Sequence, residues 1–349
     1  MQLSIIGAAG AVGQALATHL LRGGVLTASD RLQLVGHGVE GTERRLLAER
    51  CDLLDAFDEV APPIEVAALP DEVAGDVIVM TAGRTVDPQH PSRRDLAAGN
   101  LPVFETFATA LARHGTGREV VVVVTNPVEL GVEVFSRALD RHRVLGMGAH
   151  QDSLRFARAI AAAAGVRRDQ VHAWVCGEHG DAQVPLWSSA QLLGLEPAVA
   201  RQRLAHMRGG RSLAEFAAEL AQHKPQVAAL LAAERIREAF ATVEALPPDL
   251  RVVLEPFVTA HCLHSTANAT AHATGDLIRA LRRGRESVVG AQVRLAGECL
   301  DLQTSIGVPV LVNAAGWSQV VCPPLADDEA HQLRAAAATI TANLTQWQR

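Results

Sequence analysis

Along the first half of the chain, short apolar runs alternate with alanine-rich stretches of helical period. The runs Leu3 to Ile6, Leu32 to Val35, Val77 to Thr81, Val120 to Thr125 and a further short one near Val144 predict strands. Glu119 is followed by five valines, Val120 to Val124, with no polar alternate face. Such a strand is buried on both sides, as in a parallel sheet. Strands joined through helices predict βαβ units and a doubly wound sheet. From Asp152 onward the pattern changes. Helices are predicted over Ser153 to Ala164 and Leu192 to Arg208, then a β-rich stretch from Ser287 to Val321 and a closing helix from Asp327. The change sets a boundary near Gly148, between residues 1–148 and an α+β part over 149–349. Gln202 to Pro248 is unusually helical and alanine-rich. At 349 residues and 48% hydrophobic composition the chain is long enough to build two packed lobes.

The first strand runs straight into Gly7-Ala8-Ala9-Gly10-Ala11-Val12-Gly13 and then into a helical pattern. Small residues there let a backbone approach a pyrophosphate, whose charge sits on the N–H groups and positive end of the helix. Gly7, Gly10, Ala11, Val12 and Gly13 are therefore candidate dinucleotide ligands; the plainer reading is a tight strand-to-helix turn. The second strand ends in Val35-Gly36-His37-Gly38, without the acid that commonly bonds an adenosine ribose. Glu40 stands nearby, but Thr42, Arg44 and Arg45 leave room and charge for a 2′-phosphate. The cofactor predicted is NAD(P), with NADP favoured over NAD; an exposed helix start also accounts for Arg44-Arg45.

Composition narrows the classes. The net charge of −6 argues against a nucleic-acid partner, and Arg282-Arg283-Gly284-Arg285 reads as a solvated helix end. Cys51, Cys176, Cys262, Cys299 and Cys322 are odd in number and scattered, which fits reduced thiols. No secretory signal and no bilayer-length apolar run is visible, so a soluble, cytoplasmic protein is expected. Lys224 is the one lysine, which excludes lysine-dependent catalysis elsewhere, and there is no tyrosine.

The chemistry concentrates in Gly177-Glu178-His179-Gly180-Asp181, downstream of Asp152-Ser153-Leu154-Arg155 and Thr125-Asn126-Pro127. These residues offer a proton donor, a carboxylate to orient it, and an arginine whose planar fork matches a carboxylate. Taken singly, His179 reads as a turn histidine, Asp152 as a helix N-cap and Asn126 as a strand cap. Arg155, one helical turn from Asp152, favours a site.

Five motifs in order carry a resemblance to the lactate/malate dehydrogenase family over essentially the whole chain. They are Thr81-Ala82-Gly83 with Ser92-Arg93-Arg94-Asp95-Leu96, Thr125-Asn126-Pro127-Val128, Leu145-Gly146-Met147-Gly148 leading to Asp152 and Arg155, Gly177 to Asp181, and Gly307-Val308-Pro309-Val310. The resemblance implies a Rossmann sheet binding the dinucleotide over 1–148 and a catalytic domain over 149–349, with a helical insertion within 202–248. It implies hydride transfer between NAD(P)H and a small 2-oxo acid, giving an (S)-2-hydroxy acid. It assigns His179 as acid/base, oriented by Asp152. Arg155 would bind the substrate carboxylate, Arg93 polarise the carbonyl, Asn126 hold its oxygen, and Thr266 line the pocket. Gly36, His37, Thr81, Ala82, Gly83, Asn100 and Asn126 would join the glycine turn around the cofactor. A homodimer or homotetramer is implied, and no metal, membrane or nucleic acid. Val86 stands where malate enzymes of the family carry an arginine, which puts malate in doubt; Arg84 or His90 offers a charge from another position. The insertion would extend a subunit interface, cover the pocket, or form a solvated hairpin.

Other classes fit less well. A short-chain reductase needs a tyrosine that the chain lacks. An NAD-dependent glycosidase would hold a metal on Cys and His, but Cys176 and His179 lack a third ligand nearby. A non-catalytic nucleotide sensor would keep the glycine turn without needing His179, Asp152, Arg155 and Arg93 together.

Overall fold

A computed structural model of the chain describes residues 1–37, 41–85, 93–263 and 265–348. In chain order these form β1 (Gln2–Ile6), α1 (Ala11–Arg22), β2 (Arg31–Val35), α2 (Thr42–Phe57), β3 (Ile64–Ala67), β4 (Val77–Met80), α3 (Arg93–His114), β5 (Val120–Val123), α4 (Val128–Ala138), β6 (Val144–Gly146) and α5 (Gly148–Ala164). There follow β7 (Val171–Gly177), β8 (Gln183–Leu192), α6 (Pro197–Arg208), α7 (Phe216–Ala232), α8 (Ile236–Glu244), α9 (Pro248–Leu263), α10 (Ala267–Arg283), β9 (Ser287–Arg294), β10 (Ser305–Asn313), β11 (Gly316–Val320) and α11 (Asp327–Trp347).

The first six strands lie in the order β3-β2-β1-β4-β5-β6, all parallel, with Leu3 level with Leu32 and Val77, and Val77 with Val120. This is the doubly wound Rossmann arrangement. The valines of β5 are at most 1% exposed, as their unbroken apolar run requires. Burying each is worth roughly 1.5–3 kcal/mol, an upper figure because the unfolded chain is already partly collapsed. The sheet does not end at the expected boundary. One antiparallel pair, Gly146 with Gln292, joins β6 to β9, and the order continues β9-β10-β7-β8 with β11 on β10. The result is a Rossmann sheet continued into a C-terminal α/β part.

Several predicted elements differ. The helix expected from Leu192 begins at Pro197, because Leu192 closes β8, and the β7–β8 hairpin fills a stretch for which no element was expected. β3 carries only four residues between Pro62-Pro63 and Pro70 and left no predictive signal. Asp152 is no helix cap: α5 starts four residues earlier, at Gly148, and Asp152 is buried inside it. Arg282 is not simply solvated; one nitrogen lies 2.5 Å from Asp30 and also bonds the Val25 carbonyl. Among the described residues, no helix is long and apolar enough to cross a membrane.

The region 202–248 folds as α6 to α8 and the approach to α9. Arg211 pairs with Glu219 and with buried Asp249, which also accepts the Trp187 indole N–H at 3.1 Å, anchoring this region to β8. Helices α7 and α8 pack on α9, and α9 packs on α5.

Candidate active site

The glycine turn closes tightly. Gly7 takes φ +83°, and a Cβ there would lie 2.6 Å from the Ala82 backbone; one on Gly13 would lie 2.6 Å from the Gly7 carbonyl oxygen. Only glycine fits both. Gly10 caps α1 without any side-chain hydrogen bond, so the first-turn N–H groups at Ala11, Val12 and Gly13 remain open to a ligand. Gly10 and Ala11 are exposed, and Arg45 reaches over to the Ala9 carbonyl at 2.7 Å. The turn therefore fits a pyrophosphate. Gly36 is buried under Thr42, and His37 is exposed; Glu40 lies outside the described residues.

Thr81 bonds the Ile6 carbonyl at 2.7 Å, and Ala82 and Gly83 follow at the end of β4. Asn100 is fully buried: its amide accepts from Arg84 N at 2.7 Å and donates to the Asn126 carbonyl at 2.7 Å. It fastens two loops together and has no face turned to a ligand. Asn126 itself is exposed at the end of β5, before a cis peptide bond to Pro127.

His179 sits in the loop of the β7–β8 hairpin. Gly177 at φ +86° starts the turn, and Glu178 closes it by accepting the Ala182 N–H at 3.2 Å. The His179 Nδ1 donates to Asp152 Oδ2 at 2.7 Å, since an ionised carboxylate only accepts. Arg155 donates to the other oxygen of Asp152 at 2.9 Å and, through its second nitrogen, to Thr266 at 3.3 Å. Asp152 is 1% exposed and the His179 side chain 12%, so the imidazole's Nε2 is the nitrogen left for a substrate. Gly148 makes room for the ring, since a Cβ there would lie 2.5 Å from His179 Cγ.

Arg93, the first residue of α3, pairs with Glu178 at 2.8 Å and donates to the His179 carbonyl at 3.0 Å. Arg94 points into solvent. His179, Asp152, Arg155, Arg93 and Thr266 thus meet, whereas Val86 and His90 lie outside the described residues. A cavity of about 630 Å³ joins Arg155 and Thr266 to Ala11 of the glycine turn, so the dinucleotide turn and the arginine open onto one crevice.

Two site residues escaped the sequence reading. Glu129, on α4, accepts the His179 backbone N–H at 2.7 Å, and Gln292, on β9, donates to Glu129 and accepts the Ala149 N–H at 3.0 Å. Burial, then the field of Glu178, raises the Glu129 carboxyl above the usual carboxylate range, opposed by Arg93 and the His179 N–H. The one signal for Glu129 was an acid two residues past Pro127 in an otherwise apolar helix start. Among the described residues there is no His, Cys, Asp and Glu cluster able to hold a metal.

Residues 1–146 match the model of the lactate/malate dehydrogenase NAD-binding domain. Residues 150–224 and 256–349 match that of the lactate/malate dehydrogenase alpha/beta C-terminal domain. An L-lactate dehydrogenase of Mycoplasma mycoides is 25% identical over 344 residues, 89% of this chain and 95% of the relative. A malate dehydrogenase of Halobacterium salinarum is 34% identical over 205 residues, 56% of this chain and 64% of the relative. The structure of a lactate dehydrogenase of Cryptosporidium parvum, complexed with lactic acid and nicotinamide adenine dinucleotide, superimposes with a TM-score of 0.77 at 19% identity. That likeness covers 100% of this chain and 98% of the other.

Proposed function

Because the chain belongs to the lactate/malate dehydrogenase family of oxidoreductases, we propose that it reduces a small 2-oxo acid to its (S)-2-hydroxy acid, with His179 as the proton donor. The observation that carries this reading is the chain of contacts from His179 through Asp152 to Arg155, with Nε2 bonded to no side chain among the described residues.

Asp152 holds the imidazole by Nδ1 and so aims Nε2 at the substrate. His179 then delivers the Nε2 proton to the carbonyl oxygen. Arg155 fixes the substrate carboxylate with its fork, and Thr266 lines the pocket beside it. Arg93 moves from Glu178 onto the carbonyl oxygen and stabilises the charge that develops there. Asn126 holds the same oxygen from the other side. Gly7, Gly10, Ala11, Val12 and Gly13 would hold the pyrophosphate of the dinucleotide, with Gly36, His37, Thr81, Ala82 and Gly83 lining it along the strand ends, and the bound cofactor would supply the hydride. Asn100 acts one step back, by fixing the Asn126 loop.

The finer cofactor reading, NADP over NAD, draws support from Arg45 beside the glycine turn and Arg44 next to it. The same reading takes the protein as a cytoplasmic homo-oligomer of two or four copies. The test is a nicotinamide-absorbance screen of pyruvate, oxaloacetate and bulkier or phosphonate 2-oxo acids with both cofactors. Turnover of at least one is expected, and none would refute the activity. Removing Arg44 and Arg45 together should lower the NADPH/NADH ratio of kcat/KM; an unmoved ratio removes the basis for NADP.

A further inference from the structure

The C-terminal family model passes over residues 225–255. That segment holds α8 and the first half of α9, and it supplies Phe240, Glu244, Arg251 and Glu255 to the wall of the crevice that contains Arg155 and Thr266. The helix that presents Arg155 to this crevice presents Arg158 one turn further on.

We infer that Arg158 and Arg251 together bind a second oxyanion of the substrate, a carboxylate or phosphonate distal to the oxo acid. The inference rests on the reduction proposed above. The geometry shows what the pair is built to hold: the Glu255 carboxylate lies between them, one oxygen taking Arg251 Nε at 2.9 Å and a terminal nitrogen at 2.8 Å, the other meeting Arg158. Two guanidinium forks around one carboxylate form an oxyanion cradle. Arg251 and Glu255 are each 13% exposed, while the Arg158 side chain is 56% exposed and faces the crevice with donors to spare. Glu244 is exposed and its carboxylate also acts on Arg158 from the crevice wall. Burial, then the fields of Arg251, Arg155 and Arg168, lowers the Arg158 guanidinium from its ordinary value, against Glu244. Arginine stays charged regardless, and an entering anion would offset the fields of the neighbouring arginines further. With one acid on Arg155, the second would lie toward Arg158, one helical turn on, and toward Arg251 on the segment that the family model passes over.

The test compares kcat/KM for oxaloacetate, 2-oxoglutarate and 3-phosphonopyruvate with pyruvate and 2-oxobutyrate, in the wild type, Arg158→Met, Arg251→Met and Glu255→Gln. The wild type should prefer the dianionic substrates, and the carboxylate and phosphonate arms identify which oxyanion fits. Each arginine variant should cut the dianion-to-monoanion ratio about 10- to 100-fold, the worth of a charge-assisted hydrogen bond. Glu255→Gln, which removes the competing carboxylate, should raise that ratio. Opposite signs distinguish recognition from misfolding, which would lower both substrates together. A wild-type preference for monoanions or for 2-oxo acids with a distal ammonium group, or ratios that do not move, would overturn the inference. If the wild type turns over no 2-oxo acid, the reduction fails separately, and the anion site is read by thermal shift. Malonate should then raise Tm more than acetate does, an excess that Arg158→Met removes; equal shifts would overturn it.

Discussion

At the scale of single residues the site depends on where small side chains are enforced. Gly148→Ala would place a methyl 2.5 Å from His179 Cγ and force the ring off Asp152. A misplacement of about 1 Å costs on the order of a hundredfold in rate. We expect kcat to fall by that order with the circular dichroism spectrum unchanged; full activity would show that the ring tolerates the methyl. His179, Asp152 and Arg155 could be singled out in the sequence because they fall in motifs that resemble the family's and because their spacing places two of them on one helical turn. Glu129 and Gln292 were not, since each lies in an apolar element and meets the histidine loop only through the tertiary fold. Asn100 read as a cofactor ligand from its place in the family pattern, yet its amide is spent on backbone groups.

Between elements, the α1–α10 contact carries a pH-sensitive cluster. The Nε2 of His19 is buried and has no partner among the described residues, and its ring meets His272 edge-on at 5.5 Å. Burial, then the fields of His272 and Arg279, holds His19 below the ordinary 6.5, with Asp276 opposing. The folded chain therefore takes up this proton less readily than the unfolded one. The stability concerned is complete above pH 6.5 and is lost as pH falls through the lower folded value. Tm should drop as the pH is taken below 6.5 in the wild type and drop less in His19→Leu; parallel profiles would exclude His19 as the cause. The elements themselves were legible where pattern was long and one-sided, as in β5 or α11. Short β3 and the β7–β8 hairpin were not, because four to ten mixed residues carry too little periodicity to separate strand from loop.

For the whole molecule, the chain's change of pattern near Gly148 was legible, but the continuity of the sheet across it was not. A single pair between Gly146 and Gln292 makes that continuity, and nothing local marks it. The same junction carries Gln292 to Glu129 and Ala149, and Glu129 in turn accepts the His179 backbone N–H, so the sheet junction and the histidine loop share one frame. Lys224 adds a tie from α7, pairing with Asp181 of the histidine loop at 2.6 Å. The central claim is that this frame serves a proton held on His179. His179→Ala, titrated with the reduced dinucleotide by fluorescence and assayed for 2-oxo acid reduction in the same preparation, tests it most directly. The account predicts binding close to wild type with turnover reduced by about 10²- to 10⁴-fold; turnover at the wild-type rate would contradict it.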